Sequence, residues 1–453
     1  MFYFPTDLLS LGPLKESLHM TFNISPAWLW EQYKLSNLEN SKIDVWYDKP
    51  YLDVRRYDEN AIYFTTLNMF NIILPPSMND HYKPSHHSRM SLFYYRDDNT
   101  SKEFIRVAVM TANLTYDEWN THNQGIWISP KCELLSTAHM AAIHVAYGES
   151  TTKFKATLLA YLQHYSNDHR NPDIDESLNR WVQHVKRANF EHIRVVLIAS
   201  APGIYKTEPV MPENCYPSSK DPDNMRIVQE YFCNSHNIIT KTLRGDGISS
   251  INWPIIAQTS KIGKFGPEDV IFEELLPSLS TTRCVQAKPN LWIIYPSAED
   301  YQQRELPNDL GGLFYYSTQH QQQLWIEQHL LRWSAERTGR TKIMPLIKSY
   351  CRVSPNSKLL SWFLLTSACL TKNAWGCPYS QDNTRRAVGN YEMGVLFLPI
   401  YFGDNYFAIQ DVNENGRAFP FMYDLNLYGI PHFRDRCFWD KDYIKSVHTY
   451  IPN

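Results

Sequence analysis

One short passage occurs twice in this chain, and the second copy lacks the first copy's reactive groups. The first copy carries His87-Ser88-Arg89 and, further on, Thr111-Ala112-Asn113-Leu114-Thr115-Tyr116-Asp117-Glu118-Trp119. The second carries Leu346-Ile347-Lys348 and then Ser367-Ala368-Cys369-Leu370-Thr371-Lys372-Asn373-Ala374-Trp375. Aligned, the copies share x-A-x-L-T-x-x-x-W and differ at His87 against Leu346 and at Asn113 against Cys369. A histidine, a cation two residues later and a downstream polar group, supplied once by each half, suit phosphodiester chemistry. One imidazole attacks phosphorus; the other protonates the leaving oxygen and then activates water. Cations and polar donors stabilise the equatorial oxygens. The sequence holds no clustered His/Asp/Glu ligand set, so neither a metal nor a cofactor is expected.

The elements that must position these residues follow from pattern. His86 to Tyr95 and Phe104 to Met110 read as a hairpin turned at Arg96-Asp97-Asp98-Asn99-Thr100. Asn113 then ends a strand ahead of a short helix carrying Trp119, and Gly125 to Ile128 is a further strand. Residues 151–190 have helical periodicity, Ile193 to Ile198 is a strand ended by Ala201-Pro202-Gly203, and 204–225 is a polar surface loop. In the second half, strands are expected at Leu291–Ile294, Ile347–Val353, Leu360–Leu365 and Val395–Leu398, with a helix from Gln319 to Glu336. Residues 1–40 are expected to form a peripheral lead-in with a short helix near Pro26-Ala27-Trp28-Leu29-Trp30. Strands alternating with helices twice over predict an α/β protein of two domains, 1–190 and 191–453.

Composition sets the bounds. A chain of 453 residues exceeds one ordinary core, and 43% apolar and 14% aromatic residues can fill two. No stretch of 18 apolar residues appears, and the start Met1-Phe2-Tyr3-Phe4-Pro5 does not read as a secretory signal. The eight cysteines form no C-x-x-C pair and are expected to be free thiols in a reducing compartment. A net charge of −3 leaves any nucleic-acid contact to a local basic groove.

Further ordered segments carry a resemblance. They are His86-His87-Ser88-Arg89-Met90, Asn123-Gln124-Gly125-Ile126-Trp127-Ile128-Ser129-Pro130 and Ile294-Tyr295-Pro296-Ser297. Trp333-Ser334-Ala335-Glu336, Met344-Pro345-Leu346-Ile347-Lys348-Ser349-Tyr350 and Tyr391-Glu392-Met393-Gly394-Val395-Leu396-Phe397-Leu398-Pro399 complete them. The chain resembles the tyrosyl-DNA phosphodiesterase family, the eukaryotic branch of the phospholipase D superfamily that removes tyrosyl adducts from DNA 3′ ends. The likeness covers roughly residues 75–135 and 190–405. It implies two similar phospholipase D-like α/β/α sandwich domains with the site at their pseudo-twofold interface. It implies, further, His87 as nucleophile, Arg89 and Lys348 as phosphate-binding cations, and Asn113 as their polar neighbour. Gln124 and Glu392 match the groups that orient the two histidines. Leu346 stands where the second histidine would be, and Cys369 where the second asparagine would be. Lys261 and Lys264 fall on a DNA-contacting turn, and Thr371 on another DNA-contacting position. The expected partners are DNA 3′ ends, single- or double-stranded, together with an unidentified protein partner. The expected setting is a nuclear monomer away from membranes, without the family's amino-terminal extension.

The departures limit activity. Leu346 has no titratable proton, and losing a general acid–base typically costs about 10²–10⁴ in rate. Tyrosine, with a pKa of about 10, still leaves tolerably. Hydrolysis of the phosphohistidine needs an activated water, so a stalled adduct is expected. Arg89 replaces a point ammonium with a planar fork, and Cys369 is a weak hydrogen-bond partner. Two functions follow: an impaired 3′-end phosphodiesterase, or an inactive protein that binds DNA ends or a protein partner through the inherited cleft. Structural alternatives stay open for several residues. His86-His87 would also suit a surface pair, Lys348 a solvated charge, and Asn113 a helix cap. Gln124 and Glu392 would also suit buried polar pairing, and Cys369 packing. His320 is a candidate to fill the vacant imidazole position.

Overall fold

The computed structural model describes residues 5–48, 66–76, 84–136, 148–166, 172–206, 253–265, 275–279, 290–297, 300, 323–336, 339–379 and 382–409. In chain order the strands of the first half are β1 (Leu14–Thr21), β2 (Lys42–Tyr47), β3 (Leu67–Asn71), β4 (Ser85–His86), β5 (Met90–Arg96), β6 (Glu103–Met110), β7 (Ile126–Ile128), β8 (Cys132–Glu133), β9 (Val196–Ser200) and β10 (Gly203–Lys206). Those that follow are β11 (Ile255–Gln258), β12 (Leu291–Ile294), β13 (Leu330–Leu331), β14 (Ser349–Val353), β15 (Leu359–Thr366), β16 (Cys377–Tyr379), β17 (Asp382–Val388), β18 (Asn390–Phe397) and β19 (Phe407–Ala408).

The two large sheets repeat one design. The first runs β3-β2-β1-β5-β6-β7, with β8 on β6, and the second runs β13-β12-β11-β14-β15-β18-β4, with β19 on β15 and β9 on β18. Each opens with three parallel strands and continues antiparallel through a hairpin, β5–β6 in one and β14–β15 in the other. The β5–β6 hairpin is continuous over Met90–Arg96 and Glu103–Met110, in register with the alternation seen in the sequence. A small third sheet runs β10-β17-β16.

Helices cover the sheets where their apolar stripe permits. Phe154–His164 buries Phe154, Leu158, Tyr161 and Leu162, and Asp175–Arg187 buries Leu178, Trp181, Val182 and Val185. Both sets follow the three-to-four-residue spacing of one helix face. One core cluster draws Met90, Val107 and Val109 from the first sheet and Cys351, Leu365 and Met393 from the second, together with the apolar faces of these two helices. The halves therefore share a core. The helix Pro26–Leu35 packs on the outer face of the first sheet through Trp28, Leu29, Trp30 and Tyr33.

Three expectations are corrected. The first 40 residues are not a peripheral lead-in: β1 lies inside the first sheet, bonded to β2 on one side and β5 on the other. Its polar residues hid this, yet they are paired internally, Ser17 with the Tyr33 hydroxyl and His19 with Ser91 and Tyr33. Over the described part of 319–336 there is no continuous helix, but a 3-10 turn, Leu324–His329, followed by β13. Leu330 and Leu331 gain a parallel ladder against Ile293 and Ile294 there, and that burial outweighs their helical spacing. The expected loop at 204–225 opens instead with β10, paired to β17; residues 207–225, like His320, lie outside the described residues.

Candidate active site

The two halves meet by exchanging short segments. Ser85-His86 of the first half pairs in parallel with Asn390-Tyr391 of the second. Asn123 of the first half pairs in parallel with Pro345 of the second, and its carbonyl accepts from the Leu346 and Ile347 amides. These are the same contact made twice with roles reversed. His87 follows His86 as Leu346 follows Pro345, and Glu392 follows Tyr391 as Gln124 follows Asn123. A second doubled contact joins Ile24 to Leu114 and Ile262 to Leu370. Thr115 and Thr371 each cap the short helix that follows, by accepting from the Glu118 and Ala374 amides respectively.

His87 is held across the interface. Its Nδ1 lies 3.0 Å from Glu392 Oε2, and Arg89 Nη2 donates to its Nε2 at 3.4 Å. A carboxylate only accepts and a guanidinium only donates. The ring is therefore the neutral tautomer with hydrogen on Nδ1 and the lone pair on Nε2. Burial lowers the His87 pKa, the Glu392 charge opposes this, and Arg89 and Lys348 add to the lowering. Burial works against the Glu392 charge, but His87, Ser367 and Asn390 hold its carboxyl below the usual value. Asn390 Nδ2 donates to Glu392 Oε1 at 2.9 Å, and the Ser367 hydroxyl donates to Oε2. Phe22 packs edge-on against the His87 ring, centroids 4.8 Å apart. The adjoining His86 is a core residue: its Nε2 lies 2.9 Å from the Tyr165 hydroxyl, and burial pushes its pKa down to about 3.

Arg89 is buried, and its Nε donates to Asn113 Oδ1 at 3.0 Å. Its Nη1 has no hydrogen-bond partner among the described residues. Lys348 lies just before β14, and its Nζ donates to the Leu346 carbonyl at 2.8 Å. Burial and the neighbouring Arg89 charge bring its pKa down to about 8, against the pull of Cys369, Glu118 and Glu392. Glu118, on the helix Tyr116–Asn120, accepts from the Asn113 amide at 2.8 Å, Asn113 Nδ2 at 2.6 Å and Gln124 Nε2 at 3.2 Å. Burial opposes its charge, yet Arg89, Lys348 and the Asn113 donors keep its carboxyl low. Two cations, a neutral nucleophilic imidazole and two fixed carboxylates thus converge, an arrangement fit to bind a phosphodiester and attack it at phosphorus.

The second copy is built differently. Leu346 is 2% exposed and belongs to the apolar cluster of Met344, Tyr350, Leu364 and Trp375. Gln124 has no imidazole to orient and instead accepts from the Thr111 hydroxyl at 2.7 Å while donating to Glu118. Cys369 is buried with Sγ 3.8 Å from Ser260 Oγ. Lys261 and Lys264 are exposed and flank Gly263, whose amide donates to the Leu370 carbonyl at 2.8 Å, so these three expected DNA contacts, Lys261, Lys264 and Thr371, lie near one another.

Sequence reasoning missed Phe22, Ser367, Asn390 and Asn23, whose amide donates to Asn113 Oδ1 at 3.2 Å, as neighbours of the site, and gave Glu118 no role. Glu118 stood in the doubled passage opposite Ala374, a charged-for-apolar difference that was there to be read beside the two already named. Among the described residues no group of three His, Cys, Asp or Glu is placed to hold a metal ion.

A family model described as tyrosyl-DNA phosphodiesterase matches residues 6–429. A tyrosyl-DNA phosphodiesterase 1 of Drosophila melanogaster is 28% identical over 434 residues, which is 92% of this chain and 66% of that protein. A probable tyrosyl-DNA phosphodiesterase of Caenorhabditis elegans is 27% identical over 322 residues, 69% of this chain and 62% of that one. The chain thus spans slightly less than two thirds of the length of these relatives. The crystal structure of a yeast tyrosyl-DNA phosphodiesterase has the same fold, with TM-score 0.67 at 19% identity over 96% of each chain.

Proposed function

The chain belongs to the tyrosyl-DNA phosphodiesterase family, and from that premise we propose that it attacks 3′-phosphotyrosyl DNA ends through His87 as part of DNA repair. The first step is favoured over the second. His87 Nε2 places its lone pair on phosphorus, the P–O bond to tyrosine breaks, and the phenolate leaves with the electron pair. Arg89 and Lys348 offset the charge on the phosphoryl oxygens. Glu392 holds the Nδ1 hydrogen and stabilises the positive ring as it forms.

The single observation that carries this reading is Arg89. A buried guanidinium whose Nη1 has no partner among the described residues leaves an unsatisfied donor beside the imidazole lone pair that its own Nη2 approaches at 3.4 Å. A phosphate oxygen satisfies that donor. The buried apolar side chain of Leu346 favours the second reading, an inactive protein that binds DNA ends or a protein partner through the same cleft, with Lys261, Lys264 and Thr371 touching the backbone. A nuclear location belongs to the first reading and is checked by imaging a tagged chain.

The test incubates the protein with a 3′-phosphotyrosyl oligonucleotide and looks for tyrosine release and a covalent protein–DNA adduct. Both are expected for the wild type, and His87→Ala is expected to abolish both. Absence of both from the wild type, with DNA affinity retained at low salt, would establish the binding reading instead.

A further inference from the structure

The helix Tyr116–Asn120 opens with the pattern of a capping box, Thr115 followed three residues later by Glu118. In such a box the carboxylate turns back to the amide of the capping residue. Glu118 turns elsewhere. Its Oε2 accepts from the Asn113 amide at 2.8 Å and from Gln124 Nε2 at 3.2 Å, and its Oε1 accepts from Asn113 Nδ2 at 2.6 Å. The second copy shows that the helix has no need of it. Ala374 stands in its place, and Thr371 caps the helix Lys372–Trp375 all the same. Glu118 is 3% exposed, so a carboxylate is buried here for something other than the helix.

What it holds is the orientation of one amide. Asn113 Oδ1 faces two groups that can only donate, Arg89 Nε at 3.0 Å and the Asn23 backbone amide at 3.2 Å. Asn113 Nδ2 faces a carboxylate, which only accepts. With the amide so fixed, Arg89 is pinned at Nε, and the planarity of the guanidinium sets its other two nitrogens. Nη2 points at His87 Nε2, 3.4 Å away, and Nη1 has no hydrogen-bond partner among the described residues. The second half shows a cation without this brace. Cys369 stands for the asparagine and Ala374 for the glutamate, and Lys348 turns its Nζ onto the Leu346 carbonyl, two residues back in its own chain.

We propose that Glu118 is a positioning residue for the first step: through Asn113 it fixes the plane of the Arg89 guanidinium beside the attacking nitrogen of His87. The assignment rests on the phosphodiesterase reading above. Glu118 acts through Asn113 and Arg89 and exchanges no proton. A fork must be aimed and a point ammonium need not be, so Glu118 matters because residue 89 is an arginine.

The experiment measures the rate of adduct formation on a saturating 3′-phosphotyrosyl oligonucleotide in single turnover, for the wild type, E118A, R89K and the double variant R89K/E118A. E118A is expected to slow formation roughly 10²-fold, as misplacement of a substrate-binding group by about 1 Å does. E118D keeps both acceptor oxygens and is expected to recover most of that loss. In the R89K background, loss of Glu118 is expected to change the rate by no more than about twofold. A carboxylate that served the fold alone would slow both backgrounds alike, and equal slowing would overturn the assignment while leaving the phosphodiesterase reading standing. So would E118A forming adduct at the wild-type rate. Thermal unfolding shows which variants are folded, and E118Q, of the same shape, takes the place of E118A should E118A unfold. Affinity for the same oligonucleotide, measured with His87→Ala in each protein, reads the same comparison without chemistry. A wild type that forms no adduct at all would instead overturn the parent reading, and this assignment with it.

Discussion

Leu346 faces three of the pieces that a second histidine would use: Lys348 bonds its carbonyl, Asn123 bonds its amide, and Gln124 follows Asn123 in the chain. The substitution Leu346→His is therefore expected to speed adduct decay by about 10²–10⁴. It also buries a polar ring where Gln124 is already engaged with Thr111 and Glu118. Leaving that ring unsatisfied costs about 1–3 kcal/mol. Adduct decay and thermal unfolding on the same preparation read both effects. Lys348 supplies a second expectation at this scale. Its pKa of about 8 means that it is charged below that pH and neutral above it. Affinity for a phosphodiester, which keeps one negative charge throughout, should fall as pH rises through about 8. A bound diester shifts the step upward by stabilising the ammonium. K348M should bind weakly at every pH tested, with the step gone; an unchanged step in K348M would assign it to another group.

At the scale of elements, the site depends on how closely two short segments approach. A Cβ at Gly125 would fall 2.5 Å from Leu365 Cδ1 and 2.9 Å from Ile347 Cδ1. Gly125 adjoins Gln124 in the first half, while Leu365 and Ile347 belong to the second, so the missing side chain is what lets the halves close. Gly125→Ala should overpack this contact and cost about 1–3 kcal/mol. Unlike a surface Gly→Ala change, it should also slow adduct formation, because His87 and Glu392 are held from opposite halves. Thermal unfolding and adduct kinetics together check this. Much of the local structure was legible beforehand. The β5–β6 hairpin had alternating apolar residues and a polar turn, whereas the helix cap open to Asn113 in the sequence falls on Thr115 in the fold. Two elements were not legible for opposite reasons. β1 has Lys15, Glu16, Ser17 and His19 where an apolar strand pattern would be sought, and only Tyr33 and Ser91, distant in sequence, satisfy its buried polar pair. The stretch around Leu330 has apolar spacing suited to a helix, but its first described residues form a 3-10 turn and a strand because Ile293 and Ile294 offer an edge to extend.

The whole molecule is two copies of one sheet design sharing a core, with each half lending a segment to the other. Local sequence was enough to determine that two copies exist, that they belong to a phosphodiester-acting family, and that Leu346 and Cys369 break the second copy. Those facts reside in residue identity and spacing, which need no partner to be read. Tertiary structure alone decided which groups surround the surviving half-site. Glu392, expected to orient one of two histidines, reaches His87 from 305 positions away, and Glu118, expected to do nothing, gathers Asn113 and Gln124. None of these follows from periodicity, because side-chain partners at an interface are set by how two folded surfaces meet. The Nε2 lone pair of His87 is likewise legible only in the fold, where the Glu392 partner of Nδ1 dictates the tautomer.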